Sequence, residues 1–431
     1  MTTLNNLSGC IAQYDPHALP VSAAQAIVLQ WVSPLSASER VPLVDALDRV
    51  LARDIVSPID VPAHDNSAMD GYAFDGTALV ATGDTVKLAV AGKAFAGHPF
   101  RDDVAAGACV RIMTGAPMPA GCDTVVPQEL AERAGDTVSF PASAVARGAN
   151  RRRAGEDLAA GHAALRAGRL LRAPDIGLVA SLGIGEVGVR RRPRVAFFST
   201  GDELRSPGQP LEAGAIYDSN RHTLHAMLRR LNVDTLDLGI VRDEPAALDA
   251  ALRSAAESAD VVITSGGVSV GEADFTRARL QEHGDVAFWS LAMRPGRPLA
   301  FGRIWSGARP GEGRGALFFG LPGNPVATMV TFYQIVRPAL IALSGAEPQP
   351  VPLVAAVCDT AIRKRAGRTE FQRGLAARDA AGRWHVAPTG SQSSGALSTM
   401  SAANCFIVLA HDQSDLDAGE PVDIMLFDGL V

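Results

Sequence analysis

The run Ala259-Asp-Val-Val-Ile-Thr-Ser-Gly-Gly-Val-Ser-Val-Gly-Glu-Ala-Asp-Phe275 constrains this chain most, because β-branched residues give way at once to glycines, hydroxyls and two carboxylates. An amphipathic segment then resumes. The order predicts a strand, a ligand loop and a helix. Residues 261–263 have the composition of a strand buried on both faces of a parallel sheet. Gly266, Gly267 and Gly271 let the backbone take positive φ or come close to a ligand. Backbone N–H groups there, with the hydroxyls of Ser265 and Ser269, suit phosphate oxygens. Glu272 and Asp274 oppose that fit. A carboxylate about 4 Å from a phosphate charge is repelled by roughly 4 kcal/mol at an effective dielectric of about 20. A bridging divalent cation removes the conflict, and magnesium is the expected one. The competing reading is a glycine-rich sheet connection with solvated acids.

Two further loops repeat the chemistry. Residues 194–198 form an apolar run that ends in Ser199-Thr-Gly-Asp-Glu-Leu204. Residues 315–320 form another, followed by Leu321-Pro-Gly-Asn-Pro-Val326. There Asn324 reads as a helix N-cap and Pro325 as the first residue of a helix running to about residue 342. Apolar residues recur at helical spacing over 219–231 and 245–257, and residues 235–241 and 286–289 read as strands. Such alternation over 191–346 predicts an α/β domain with a doubly wound, mostly parallel sheet and ligands outside the carboxyl ends of its strands. The three loops are therefore expected to share one crevice.

Composition narrows the class. With 431 residues, 47% of them hydrophobic, the chain suffices for about two to four domains. A net charge of -6 carries no footprint for nucleic acid. Cys10, Cys109, Cys122, Cys358 and Cys405 are odd in number and form no C-x-x-C pair, which predicts reduced thiols in a cytoplasm. No run approaches about 18 uninterrupted apolar residues, so no membrane span is expected. The N-terminus has no basic region followed by an apolar core, so secretion is not expected either. The arginine runs at 151–153 and 190–192 read as solvated faces beside domain junctions. Glu156 and Asp157 read as part of a salt network. His222 and His225 lie three apart without a suitably spaced third ligand, so zinc is not expected.

Outside the central sheet the texture changes. Helices are expected over 22–32 and 42–52, then short β-like runs with many turns, then helix again near 174–182. This predicts a β-rich inserted domain, 57–149, within a discontinuous helical or mixed domain, 18–56 plus 150–190. A proline-marked linker follows residue 345. Strand candidates at 353–358, 384–387, 405–410 and 421–427 then predict a small β-barrel over 350–431.

The insertion opens with Val61-Pro-Ala-His-Asp-Asn-Ser-Ala-Met-Asp-Gly-Tyr-Ala-Phe74, which carries Asp65 and Asp70 and is either a functional loop or an ornate turn. Together with Arg111-Ile-Met-Thr-Gly-Ala-Pro-Met-Pro-Ala-Gly-Cys122 and the loops at 199–204, 264–275 and 321–325, it resembles the molybdopterin molybdenumtransferases, a family that includes the E domain of gephyrin. The resemblance runs from about residue 20 to the C-terminus. It implies an elongated homodimer of four-domain subunits, in which the β-rich insertion of one subunit covers the sheet crevice of the other. The implied reaction joins adenylated molybdopterin and molybdate, giving the molybdenum cofactor and AMP. By this resemblance Asp65, Thr114, Glu203, Asp243, Asp274, Pro322 and Pro325 match family site positions, as does Ser398 in the terminal domain. Glu203, Asp243 and Asp274 are the expected magnesium ligands, and Gly323 and Asn324 belong to the expected substrate loop. The adenylated substrate is expected from a separate molybdopterin adenylyltransferase, because residues 1–20 and those after 427 leave no room for one.

A metal oxyanion needs its own small anion pocket. Arg294-Pro-Gly-Arg-Pro298 is the candidate, with prolines stiffening the turn and Arg294 and Arg297 supplying charge. The competing reading is a Pro-Gly turn with exposed arginines. The resembled family typically carries lysines at these two positions and a third where this chain has Ser290, so the oxyanion contacts are expected to differ. Two alternatives remain at this stage: an adenylyltransferase-like enzyme, and a gephyrin-like scaffold. The presence of the Asp65 segment and terminal barrel disfavours the first, and the retained site acids disfavour the second.

Overall fold

The structure is a computed structural model that describes residues 18–81, 84–267, 274–307, 309–428 and 430. It divides into two compact units, one from residues up to 39, 48–50 and 190 onward, the other from 40–47 and 51–189.

The first unit is built on six strands: β1 (Arg194–Thr200), β2 (Asp234–Val241), β3 (Val261–Ser265), β4 (Gly284–Ser290), β5 (Pro298–Trp305) and β6 (Gly315–Leu321). Their order is β2-β1-β3-β6-β5-β4. The first four are parallel, and β5 and β4 are antiparallel additions at one edge. Alternate residues explain why the parallel strands read as continuous apolar runs. Val195 and Phe197 enter one core while Ala196 and Phe198 enter the other, and β3 and β6 divide in the same way. Helix α1 (Ser219–Arg230) covers the first face with Leu224 and Leu228. Helix α2 (Pro245–Ser258) covers the second with Leu248 and Leu252, and α3 (Asp274–His283) adds Leu280 to that second core. Each such buried side chain stabilises the fold by about 1.5–3 kcal/mol. At one end of the sheet, Asp260 is a partly buried hub that accepts from both terminal nitrogens of Arg191, each at 3.0 Å, and from Arg314 at 2.6 Å. Burial is the largest single influence and would raise its pKa, but the Arg191 hydrogen bonds, the Arg194 N–H and the charges of Arg191 and Arg314 together hold it below the usual carboxylate range. Arg191 is therefore a structural ion-pair partner, not part of a solvated face.

Strand β5 was not anticipated. It opens on a proline and contains Gly302, and both read as breakers. Gly302 is required by packing, since a Cβ there would lie 2.1 Å from the Asp285 carbonyl oxygen of the paired strand. Helix α4 is one helical stretch, Pro325–Leu343, interrupted by a π segment at Phe332–Val336. Pro338 has no N–H to continue the α pattern, and a wider turn accommodates its ring. This stretch is long and apolar enough to cross a membrane by length and composition, yet here Val326, Val330, Ile335 and Leu340 pack in the core. Asn324 stands at the N-cap position, but its side chain makes no capping bond. Its carbonyl accepts instead from the Thr328 backbone N–H at 2.9 Å.

The same unit carries a barrel of β7 (Val354–Cys358), β8 (Thr369–Arg378), β9 (Trp384–Pro388), β10 (Cys405–Leu409) and β11 (Pro421–Leu426). The order β8-β9-β7-β11-β10 closes through β8–β10 pairing. Strand β8 also escaped the sequence, because Glu370, Gln372 and Arg373 make it look polar. All three are buried. A short strand, Met293–Arg294, pairs in parallel with Thr369–Glu370 and ties the arginine loop to the barrel.

The second unit contains a six-stranded sheet in the order Thr124–Pro127, Gly71–Phe74, Ala108–Ile112, Thr85–Ala94, Thr137–Pro141, Glu132–Ala134. Phe74 and Phe140 lie in the core on one side, Val110 and Ile112 in that on the other. Helix Ala173–Ser181 packs with Leu171, Val187 and Val189. The helix expected over 22–32 is present as Val21–Trp31, but the one expected over 42–52 is absent. Ser38–Pro42 is a strand, Leu43–Asp45 is a 3-10 turn, and Asp48 takes φ 58. A left-handed residue stops an α-helix, however well the apolar spacing suits one.

Candidate active site

A cleft of about 1490 Å³ opens at the carboxyl ends of β1, β3 and β6, where open α/β sheets bind their ligands. Its acid wall follows β1. Asp202, Glu203 and Asp243 line it, and Asp202 Oδ1 accepts from the Asp243 backbone N–H at 3.4 Å. Gly201, at φ 149, lets the Glu203 carboxylate lie close over the backbone, because a Cβ at 201 would stand 2.6 Å from Glu203 Oε2.

The floor comes from β3 and β6. Gly266 and Gly267 take φ 94 and 69. A Cβ on Gly266 would meet the Thr200 carbonyl oxygen at 2.6 Å, so two neighbouring strand ends approach only because that residue is glycine. Buried Asn220, in the first turn of α1, donates from Nδ2 to Ser265 Oγ and to the Gly323 carbonyl, both at 2.7 Å. The carbonyl accepts only, so the amide orientation is set by chemistry. Asn220 thereby ties the 265–267 loop to the 322–323 loop. It was missed in the sequence, where it reads as an ordinary polar residue after the capping Asp218. Thr328 Oγ1 donates to the Pro322 carbonyl at 2.6 Å and fixes the same turn.

The basic wall combines the 293–298 loop with the barrel. Arg294, Arg297 and Arg368 line it. Arg368 Nη2 lies 2.7 Å from Glu370 Oε1, and Arg294 Nη1 lies 3.8 Å from the same oxygen. Gln372 Nε2 donates to the other oxygen at 3.0 Å, so this fully buried carboxylate is satisfied. Arg297 Nε donates to Ser290 Oγ at 2.8 Å. The serine-rich edge, residues 391–394, also lines the cleft. Arg373, almost fully buried, holds it by donating to the carbonyls of Ser391 at 2.7 Å and Ser393 at 2.9 Å.

Thus Glu203, Asp243, Ser265, Gly266, Gly267, Arg294, Arg297, Pro322, Gly323 and Asn324 all meet at one cleft. Pro325 opens α4 immediately behind Asn324. Ser398 is not among the cleft residues: it is exposed on the helix Leu397–Ala402, while residues 391–394 line the cleft. Every serine in this segment looks alike in sequence, and only the Arg373 clamp selects which ones face the cleft. Asp274 opens α3, but its side chain is outside the described set, as are Ser269, Gly271 and Glu272 entirely. Gly267-Val-Ser-Val-Gly271 has the Gly-x-Ser-x-Gly spacing of a hydrolase elbow, and residues 268–273 fall in the same undescribed stretch.

Asp65 and Thr114 belong to the second unit. The Ala154 N–H donates to Asp65 Oδ1 at 2.8 Å, and Arg151 grips Oδ2 through Nε and Nη2. The Ala154 bond, with Arg151, holds Asp65 below the usual carboxylate range despite partial desolvation. Arg151 therefore has a fixed partner rather than a solvated role. Glu156 accepts from the Arg153 backbone N–H at 2.9 Å, a turn contact in place of the expected salt network. Thr114 donates through N and Oγ1 to Asp70 Oδ1 at 2.7 and 2.8 Å.

Among the described residues no three His, Cys, Asp or Glu side chains gather as a ready-made metal site. Magnesium demands less, since it keeps several waters and is commonly held by one or two carboxylates plus substrate phosphates. Glu203 and Asp243 on one wall fit that donor set.

Residues 19–183 match the family described as MoeA N-terminal region (domain I and II), 196–342 the probable molybdopterin binding domain, and 355–427 the MoeA C-terminal region (domain IV). The chain is 41% identical over 415 residues to the molybdopterin molybdenumtransferase of Haemophilus influenzae, covering 96% of this chain and 100% of that one. It is 35% identical to molybdopterin molybdenumtransferase 2 of Mycobacterium tuberculosis, over 89% and 94% of the two chains. A solved molybdopterin biosynthesis moeA protein from Pyrococcus horikoshii OT3 superposes with a TM-score of 0.80 at 28% identity, covering 95% of this chain and 100% of that one. With likeness spanning both units, and the same loops converging on one cleft, this chain belongs to the molybdopterin molybdenumtransferase family.

Proposed function

We propose that this chain inserts molybdenum into molybdopterin, taking adenylated molybdopterin and molybdate and releasing AMP with the finished cofactor. The observation that carries this reading is one cleft lined by both an acid wall and an arginine wall. A phosphate-linked substrate and a separate oxyanion need opposite partners, and a single-sign pocket would serve only one. Ser265, Gly266 and Gly267 offer a hydroxyl and backbone N–H groups to the phosphates. Pro322, Gly323 and Asn324 form the adjoining edge. Arg294 and Arg297 receive molybdate as charge-assisted donors. Glu203 and Asp243, with Asp274, would hold magnesium. When bound, the ion would neutralise charge as the phosphorus–oxygen bond to AMP breaks.

The proposal extends to a cytoplasmic homodimer that receives its adenylated substrate from a separate adenylyltransferase. Support for these points is the family resemblance together with the cysteine usage. Sedimentation equilibrium reads the oligomeric state. The decisive assay mixes purified protein, adenylated molybdopterin and magnesium, and follows AMP. Release that depends on molybdate is the expected result. Molybdate-independent release, or consumption of ATP with plain molybdopterin, would replace this reading with a hydrolase or an adenylyltransferase.

A further inference from the structure

Strands β4 and β5 are antiparallel neighbours in which Ser290 stands opposite Pro298. The Leu291 N–H donates to the Arg297 carbonyl at 2.7 Å, closing the 291–297 loop at its base. That closure brings the residues at 290 and 297 together. Arg297 Nε donates to Ser290 Oγ at 2.8 Å. Because Nε lies in the guanidinium plane, a bond there fixes the orientation of both terminal nitrogens. Arg297 lines the cleft and Ser290 does not, so any influence of the serine on a ligand passes through the arginine.

We propose that Ser290 is a positioning residue for a tetrahedral oxyanion: its hydroxyl, by accepting from Nε, restrains the Arg297 guanidinium at the cleft wall. The proposal rests on the reading of this cleft as the place where molybdate binds. A fork held in advance presents two parallel donors to two oxygens of one oxyanion. A free arginine must give up its rotamer entropy at each binding event. Serine suits the position, since it supplies one acceptor on a short stem, whereas a cation at 290 would stand beside a like charge. The neighbouring Arg294 and Arg368 share the buried Glu370 carboxylate and are oriented by it. Ser290 gives Arg297 the corresponding anchor without adding negative charge near an anion.

Titration calorimetry with molybdate, tungstate and sulfate on the full chain tests this. Ser290→Ala and, as a second hydroxyl-free variant, Ser290→Gly should each weaken molybdate binding about tenfold, the worth of one hydrogen bond to a charged group. Ser290→Thr keeps the hydroxyl and should stay within about threefold of the wild type. In an Arg297→Ala background, Ser290→Ala should cause no further loss, because the two act as one unit. Equal losses in both backgrounds, no loss in the wild-type background, or a wild type that binds none of the three oxyanions would overturn the proposal. Sulfate binding with the same coupling but no molybdate binding would keep the role of Ser290 and sink the molybdate reading. Molybdate binding without coupling would do the reverse.

Discussion

The two walls of the cleft are built by different means. The acid wall stands on the ends of parallel strands, where β1 passes directly into Thr200, Gly201, Asp202 and Glu203, all cleft residues. The basic wall is assembled from a hairpin loop and a barrel far along the chain, joined where Met293–Arg294 pairs with Thr369–Glu370. Local backbone geometry places the first. Contacts with buried groups place the second: Arg294 and Arg368 both reach Glu370, and Arg373 donates to Ser391 eighteen residues on. The acid wall therefore tolerates side-chain changes that preserve the loop, and the basic wall depends on the network beneath it.

The largest expected effect lies in the basic wall. Replacing Arg294 and Arg297 together by alanine removes two charge-assisted contacts, each worth about 1.5–3 kcal/mol. The molybdate concentration for half-maximal AMP release should rise at least about a hundredfold, with adenylate affinity nearly unchanged. If both affinities fall together, the two walls do not divide the substrates between them. Glu203→Gln in the acid wall, and Asp274→Asn at the position matched by the family resemblance, should each lower turnover at least about tenfold, or roughly 1.4 kcal/mol of transition-state stabilisation. Thermal midpoints should barely move, because loop-end acids contribute little to stability. Wild-type magnesium-dependent AMP release in either variant would remove these acids from the mechanism.

The smallest effect concerns the barrel that supports the basic wall. His385 Nδ1 lies 2.8 Å from Asp359 Oδ1, and its Nε2 lies 3.3 Å from Asp379 Oδ2, with Arg383 also on Asp379. The Asp359 hydrogen bond, more than the second aspartate, raises the His385 pKa. A raised folded-state pKa gives stability that is complete below the unfolded value of about 6.5 and is lost as pH rises through the folded value. His385→Gln should therefore lower the thermal midpoint more at about pH 5.5 than at about pH 9. An equal drop at both would mean that the imidazole serves only in packing.

Legibility followed the same division. Strands β1, β3 and β6 were readable because residues buried on both faces leave uninterrupted apolar runs, and the loops after them broadcast glycine, hydroxyl and acid. Strands β5 and β8 were not. A glycine imposed by close packing and three buried polar side chains both imitate loop. The helix expected over 42–52 had the right spacing, but spacing carries no information about Asp48 adopting a left-handed conformation.

By itself the sequence determined the α/β alternation, the strand-end loops, the terminal barrel and the family, because these depend on local periodicity and on motifs of fixed spacing. Only the tertiary structure decided that Arg368 and residues 391–394 complete the cleft and that Ser398 does not. It alone revealed that Asn220 ties two loops together and that Ser290 anchors Arg297. Those are contacts between residues distant along the chain or set across a strand pair, and their partners are chosen by burial and register, which no stretch of sequence carries on its own.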